Sequence, residues 1–115
     1  MSFQELFSVD MSDGWLVAVT LPEYHPDFTI HEGIGLRPDE IAFSSRLDAR
    51  RKISFAGGRL ALRAALIAVG AEPGSSIPNP RGAPIVPVGY RGSISHKDTI
   101  ALAGATPDSG WEMGV

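Results

Sequence analysis

The stretch from Ser45 or Arg46 to Val69, RLDARRKISFAGGRLALRAALIAV, constrains the fold more than any other part of the chain. At 100° per residue, Phe55, Leu62, Leu66 and Val69 fall on one side, and Ile53, Leu60, Ala64 and Ile67 on the other. The spacing predicts one long helix buried on two faces. Gly70 ends it where a left-handed residue is needed, with Pro73 beyond. Gly57 and Gly58 interrupt the pattern. Two glycines inside a helix cost about 1 kcal/mol each relative to alanine, so a neighbouring element or a ligand is expected to approach the backbone there. Between the apolar sides, Lys52, Arg59 and Arg63 fall in a narrow stripe at i, i+7 and i+11, with Arg51 beside it. Such a run is ordinarily a solvated face whose stems lie along apolar surface. Here it lies between two buried sides, and the helix holds few acids to pair with it, so an anion-binding stripe is an equal reading.

The elements around that helix are short. Gly14 to Thr20 has the β-branched and aromatic content of a buried strand, ended by Leu21-Pro22. Glu23 to Leu36 reads as a loop, and His25 and His31 within it fit no helical metal pair and are expected to be solvated. Arg37-Pro38-Asp39-Glu40 opens a short helix through Phe43, with proline in the first turn and two acids at the positive end of the helix dipole. Ala71 to Tyr90 is a Pro, Gly and Ser rich loop in which Arg81-Gly82-Ala83-Pro84 forms an exposed turn. Ser93 to His96 and Thr99 to Ala105 are expected to pair as a hairpin, and Trp111 to Val115 reads as the beginning of another strand. The fold class expected is α+β, a small, mainly antiparallel sheet packed on a long helix, with residues 1–115 forming one domain.

Composition narrows the function classes. The chain has 115 residues, 43% of them hydrophobic and 20% charged, as in an ordinary soluble domain able to bury a core. With no cysteine, a disulfide framework, a thiolate nucleophile and a Cys-ligated zinc are excluded. No apolar run reaches the roughly 18 residues of a membrane span, and Met1 to Asp10 lacks the features of a signal peptide, so a cytoplasmic location is expected. The net charge of −3 hides a segregation. Met1 to Ser45 holds eight acids and Arg37, a balance of −7, whereas Arg46 to Lys97 holds nine bases and two acids, a balance of +7. Cations gathered into one middle segment of an acidic chain suit a local anion better than a long polyanion.

Gly92-Ser93-Ile94-Ser95-His96 is the one short run that asks for a chemical explanation. In an extended strand Ser93 and Ser95 share one face, while Ile94 and His96 share the other, which puts His96 among apolar residues near a strand end. A histidine beside a turn is often only structural, with one ring nitrogen bonded. A serine-hydrolase arrangement is excluded, because Ser95, His96 and Asp98 cannot converge from a single strand and the Gly-x-Ser-x-Gly elbow is missing.

Taken together, Arg51-(x7)-Arg59-(x3)-Arg63 within RRKISFAGGRLALRAALIAVG, then Arg81-Gly82-Ala83-Pro84, Pro87-x-Gly89 and Gly92-Ser93-Ile94-Ser95-His96, resemble the 4'-phosphopantetheinyl transferases. The likeness is closest to the two-lobed, monomeric type that serves siderophore and other peptide or polyketide synthetases, and it covers about residues 36 to 115. It implies the pseudo-twofold fold of that family. It also implies a reaction in which a serine hydroxyl of an apo acyl or peptidyl carrier protein attacks the β-phosphate of coenzyme A, taking the phosphopantetheine arm and releasing adenosine 3',5'-bisphosphate. By matching position, Arg51, Arg59 and Arg81 hold the 3'-phosphate and adenine end of coenzyme A. Ser95 and His96 touch its phosphates, and His96 is the catalytic residue.

The resemblance also implies Mg²⁺, but the family's Asp-x-Glu ligands follow the position where this chain ends, and no metal ligand is assigned to Asp98, Asp108 or Glu112. The chain is therefore expected to be the amino-terminal lobe, incomplete and inactive until a carboxy-terminal lobe or self-association completes it. A coenzyme A or nucleotide-phosphate binding module without chemistry of its own is the alternative. A nucleic-acid binder is the weakest reading, since Phe55 alone could stack beside the cations between Arg46 and Arg63.

Overall fold

Valines and alanines at alternate positions build the centre of the molecule. In the computed structural model, which describes residues 3–11, 14–30, 35–72, 74, 86–97 and 99–107, β2 (Gly14–Thr20) pairs antiparallel with β4 (Ile100–Pro107). Val17 lies opposite Ala103 and Val19 opposite Ala101, and all four are buried. The strand β1 (Gln4–Met11) adds to the outer side of β2, and β3 (Tyr90–Lys97) to the other side of β4, giving an antiparallel sheet in the order β1-β2-β4-β3. With the helices α1 (Pro38–Ser44) and α2 (Ala49–Ala68) the class is α+β, as expected. The strand expected at Trp111 to Val115 lies outside the described residues.

The helix α2 lies across one face of this sheet. Ala61, Leu62, Ala65 and Leu66, at helical spacing, are buried against Val17, Val19, Ala103 and Ala105. The two glycines find their explanation in the sheet. A Cβ added to Gly57 would stand 2.2 Å from Leu21 Cδ2 and 3.4 Å from the Ala101 Cβ, and one added to Gly58 would stand 2.7 Å from Ile94 Cγ2. A neighbouring element, rather than a ligand, occupies the space their missing side chains leave. Small residues on both sides let the helix backbone sit close to β3 and β4.

Two sequence expectations are corrected here, and one element is new. The helix starts at Ala49, not Ser45 or Arg46, because the Asp48 side chain accepts a 2.9 Å bond from Arg51 N–H and caps it, while Ser45 closes α1. The second apolar side is only partly covered. Ile53 is buried, Leu60 and Ala64 are half-buried, and Ile67 is exposed, because the sheet meets one flank of the helix and α1 reaches only the part near Phe55 and Arg63. The strand β1 has no counterpart among the expectations. Its apolar residues Leu6, Phe7 and Val9 are exposed, and a bulge between Glu5 and Phe7 breaks the period-two pattern that would mark a strand.

At its other end α2 behaves as expected. Gly70 has φ +91°, its N–H donates to Ile67 O at 3.0 Å, and Ala71 N–H donates to Leu66 O at 2.9 Å. That double bond pattern is a Schellman motif, and the burial of Ala71 beside Leu66 completes it.

Candidate functional site

A cleft opens where α1, the first half of α2 and the end of β3 meet. Its floor is aromatic. Phe55 of α2 is buried, and its ring lies 5.2 Å from that of Phe43 on α1, tilted by 35°. On the same side of Phe55, one turn along at i+4, the Arg59 guanidinium carbon sits 4.5 Å from the ring centroid, a cation–π contact that holds the charge against an apolar wall. Arg51, one turn earlier, is exposed and lines the same cleft, so the i, i+4, i+8 series of α2 alternates cation, ring, cation.

The register of the hairpin brings in the fourth group. His96 is paired with Ala101, and Ala101 faces α2 at Gly57, so the His96 side chain points to the helix side of the sheet and lines the cleft. It stands exposed at the cleft rather than among apolar residues. The cleft has a volume of about 420 Å³, in the range of small-molecule sites. Arg50, Ser54 and Leu47 complete the lining among the described residues, and none of these lining residues is an acid.

Arg59 is the buried cation among the described lining residues. It is only 9% exposed, and burial lowers its pKa below the usual arginine value, while the nearby Glu40 carboxylate works in the opposite direction. Glu40 itself is fully buried, accepting bonds through Oε1 from Arg37 N–H at 2.8 Å and from Arg63 Nη2 at 2.7 Å. Arg63 also donates to Gly35 O at 2.6 Å and Gly74 O at 3.1 Å. The third cation of the stripe is thus committed to bracing the segments before α1 and after α2, and it does not line the cleft. Sequence spacing along α2 could not reveal this, because the acid that pairs with Arg63 comes from another helix.

Of the residues singled out by sequence, the structure brings Arg51, Arg59 and His96 together. Ser95 is separated from them. It pairs with Leu102 on the sheet face turned away from α2, where Ser93 also lies, near Gly104 and Leu16. Arg81, Asp98, Asp108, Glu112 and His31 lie outside the described residues. His25 is exposed, and its Nδ1 accepts a 3.1 Å bond from Asp27 N–H. Sequence reasoning missed Arg50, whose guanidinium carbon lies 4.0 Å from the Tyr24 ring centroid. It also missed Phe43 and Leu47. Their signal was the apolar residue flanking each side of the α1–α2 turn.

Among the described residues no group of three or more His, Cys, Asp or Glu is placed to hold a metal ion, and no helix is long and apolar enough to cross a membrane. What the cleft can do chemically is hold a multiply charged anion. Guanidinium groups give two parallel charge-assisted bonds to a phosphate, and the aromatic floor sets one of them against an apolar wall.

Comparison with known proteins agrees with this chemistry. The family model described as the 4'-phosphopantetheinyl transferase N-terminal domain matches residues 39–106, more than half of the chain and all the elements that form the cleft. No curated protein matches the chain.

Proposed function

Since this chain belongs to the 4'-phosphopantetheinyl transferase N-terminal domain family, we propose that it is the coenzyme A-binding lobe of an enzyme that loads carrier proteins. The family's reaction is phosphopantetheinyl transfer. In the proposed form a carrier-protein serine oxygen bonds to the β-phosphorus of coenzyme A. The bond from that phosphorus to the bridging oxygen breaks, adenosine 3',5'-bisphosphate leaves, and the serine proton passes to a base. The observation that carries the reading is the meeting of Arg51, Arg59 and His96 in one cleft.

In this reading the two arginines take the 3'-phosphate, and His96, at the strand end, bonds to the diphosphate where charge changes during transfer. Arg81 is assigned to the same phosphate end by its match to the family pattern. Ser95 also matches the family pattern at the phosphates, but with its hydroxyl on the other side of the sheet its contribution is proposed to be small. The described residues do not fit the Mg²⁺ that the family uses, so no step through the metal is assigned to them.

The rest of the enzyme is proposed to come from a carboxy-terminal lobe or from a second copy of this chain. Support comes from the sheet face opposite α2. Phe7 and Val9, both exposed, stand across from Ala18 and Leu16 on that face, with Leu102 beside them. Uncovered apolar surface of this kind commonly marks an interface. The finer assignment is a cytoplasmic enzyme of the type serving siderophore, peptide or polyketide synthetases. The alternative is a coenzyme A-binding module without chemistry of its own.

Calorimetry tests the binding reading. Coenzyme A should bind about ten- to a hundredfold more tightly than 3'-dephospho-coenzyme A, the worth of one charge-assisted contact at ~1.5–3 kcal/mol. Equal affinities would overturn the assignment of Arg51 and Arg59.

A further inference from the structure

The contacts between α1 and α2 form a short ladder. On α1, Glu40 and Phe43 stand three residues apart and share a side of the helix. Phe43 meets Phe55 of α2 with ring centroids 5.2 Å apart, and Glu40 meets Arg63 at 2.7 Å. Arg59 is four residues from each of those α2 partners, so it lies between the two rungs on the same side of the helix. The fully buried carboxylate therefore faces two cations, and its charge reaches Arg59 as well as Arg63.

An acid in that position works against an anion site. A negative charge behind Arg59 repels whatever anion Arg59 holds, and burial of the carboxylate leaves little water to screen the repulsion. Arg63 opposes that charge from close range. Bonds to Gly35 O at 2.6 Å and Gly74 O at 3.1 Å fix its guanidinium at the acid. We propose that Arg63 is a positioning residue for the anion site: by offsetting Glu40, it lets the Arg59 guanidinium present a net positive field to the phosphates, although Arg63 itself does not line the cleft. The inference rests on the coenzyme A reading. It adds to that reading a balance of two cations and one buried acid that sets how tightly the phosphates are held.

Calorimetry with adenosine 3',5'-bisphosphate tests it, on variants that circular dichroism verifies as folded. Arg63→Met leaves Glu40 unopposed, and affinity should fall about tenfold. Glu40→Gln keeps an oxygen for Arg37 N–H and for Arg63 but loses the charge, so affinity should rise about threefold even though the fold loses stability. Combining Glu40→Gln with Arg63→Met removes both charges, and affinity should return to within about twofold of wild type. Arg63→Lys keeps the cation without the fork that reaches three acceptors, so it should unfold more readily yet bind within about twofold of wild type. A residue that only held the helices together would weaken binding in every variant, Glu40→Gln included. That result overturns the proposal, and so does an unchanged affinity in Glu40→Gln. If Arg63→Met does not fold, the rise in Glu40→Gln and the recovery in the double variant decide the matter. A wild-type chain that does not bind the bisphosphate overturns the coenzyme A reading and this inference with it, whereas wild-type binding with any other order of affinities overturns this inference alone.

Discussion

Glu40 on α1 and Arg63 on α2 meet through a 2.7 Å contact between Oε1 and Nη2, with the carboxylate side chain fully buried and the guanidinium 16% exposed. The same carboxylate lies close enough to Arg59 to oppose the effect of burial on it. One acid thus ties two helices together and helps keep a cation charged in the cleft they form. Removing one partner of a buried pair strands the other, at a cost of roughly 3 kcal/mol or more. Glu40→Ala and Arg63→Met should each lose about that much in urea unfolding, and the double variant clearly less than the sum. Strictly additive losses would mean that the contact contributes no coupling.

Arg59→Met should separate binding from stability. Burial already works against the charge on Arg59, and methionine would fill similar space against Phe55 without it. Glu40 keeps its contact with Arg63 when Arg59 is exchanged, so no buried carboxylate is stranded and the melting temperature should move by only a few degrees. Affinity for coenzyme A should fall about tenfold or more. A variant that unfolds would assign Arg59 chiefly to structure.

Gly58→Ala tests how closely helix and sheet approach. Alanine gains about 1 kcal/mol in helix propensity, but its methyl would stand 2.7 Å from Ile94 Cγ2. Isoleucine is stiff at that branch point, and overpacking costs about 1–3 kcal/mol. A net loss of about 1 kcal/mol is expected, with weaker ligand binding as β3 and His96 are pushed outward. Greater stability in chemical denaturation would refute the account of this contact.

His96→Ala and Ser95→Ala should differ, because adjacent strand residues point to opposite faces. Assayed as mass gain on an apo carrier protein, with the carboxy-terminal lobe supplied, His96→Ala should lose most of the transfer activity, about ten- to a hundredfold. Ser95→Ala should stay within about threefold, since its hydroxyl faces away from the cleft. Similar losses in both would require a different hairpin register.

Several features were determined locally, and the sequence alone displayed them. Gly70 stops α2 because a left-handed residue is cheap only for glycine, and the stop needs no distant contact. Proline and acids start α1 for reasons contained in a single turn. Period-two alternation put Ile94 and His96 on one face and Ser95 on the other before any partner strand was known. The helix–hairpin motif order also carried the family resemblance that the match to residues 39–106 bears out.

Tertiary structure decided which of the cations line the cleft and where they meet. Along α2, Arg59 and Arg63 look equivalent, but Glu40 comes in from α1 to pair with Arg63, and Phe55 turns Arg59 toward the cleft. Arg50 meets Tyr24, on the segment after β2, and β1 holds its place only because β2 offers an open edge. The physical reason is common to all three. Backbone conformation follows from short-range sterics and caps, whereas the partner of a charge or of a strand edge is whichever group packing brings within a few ångströms.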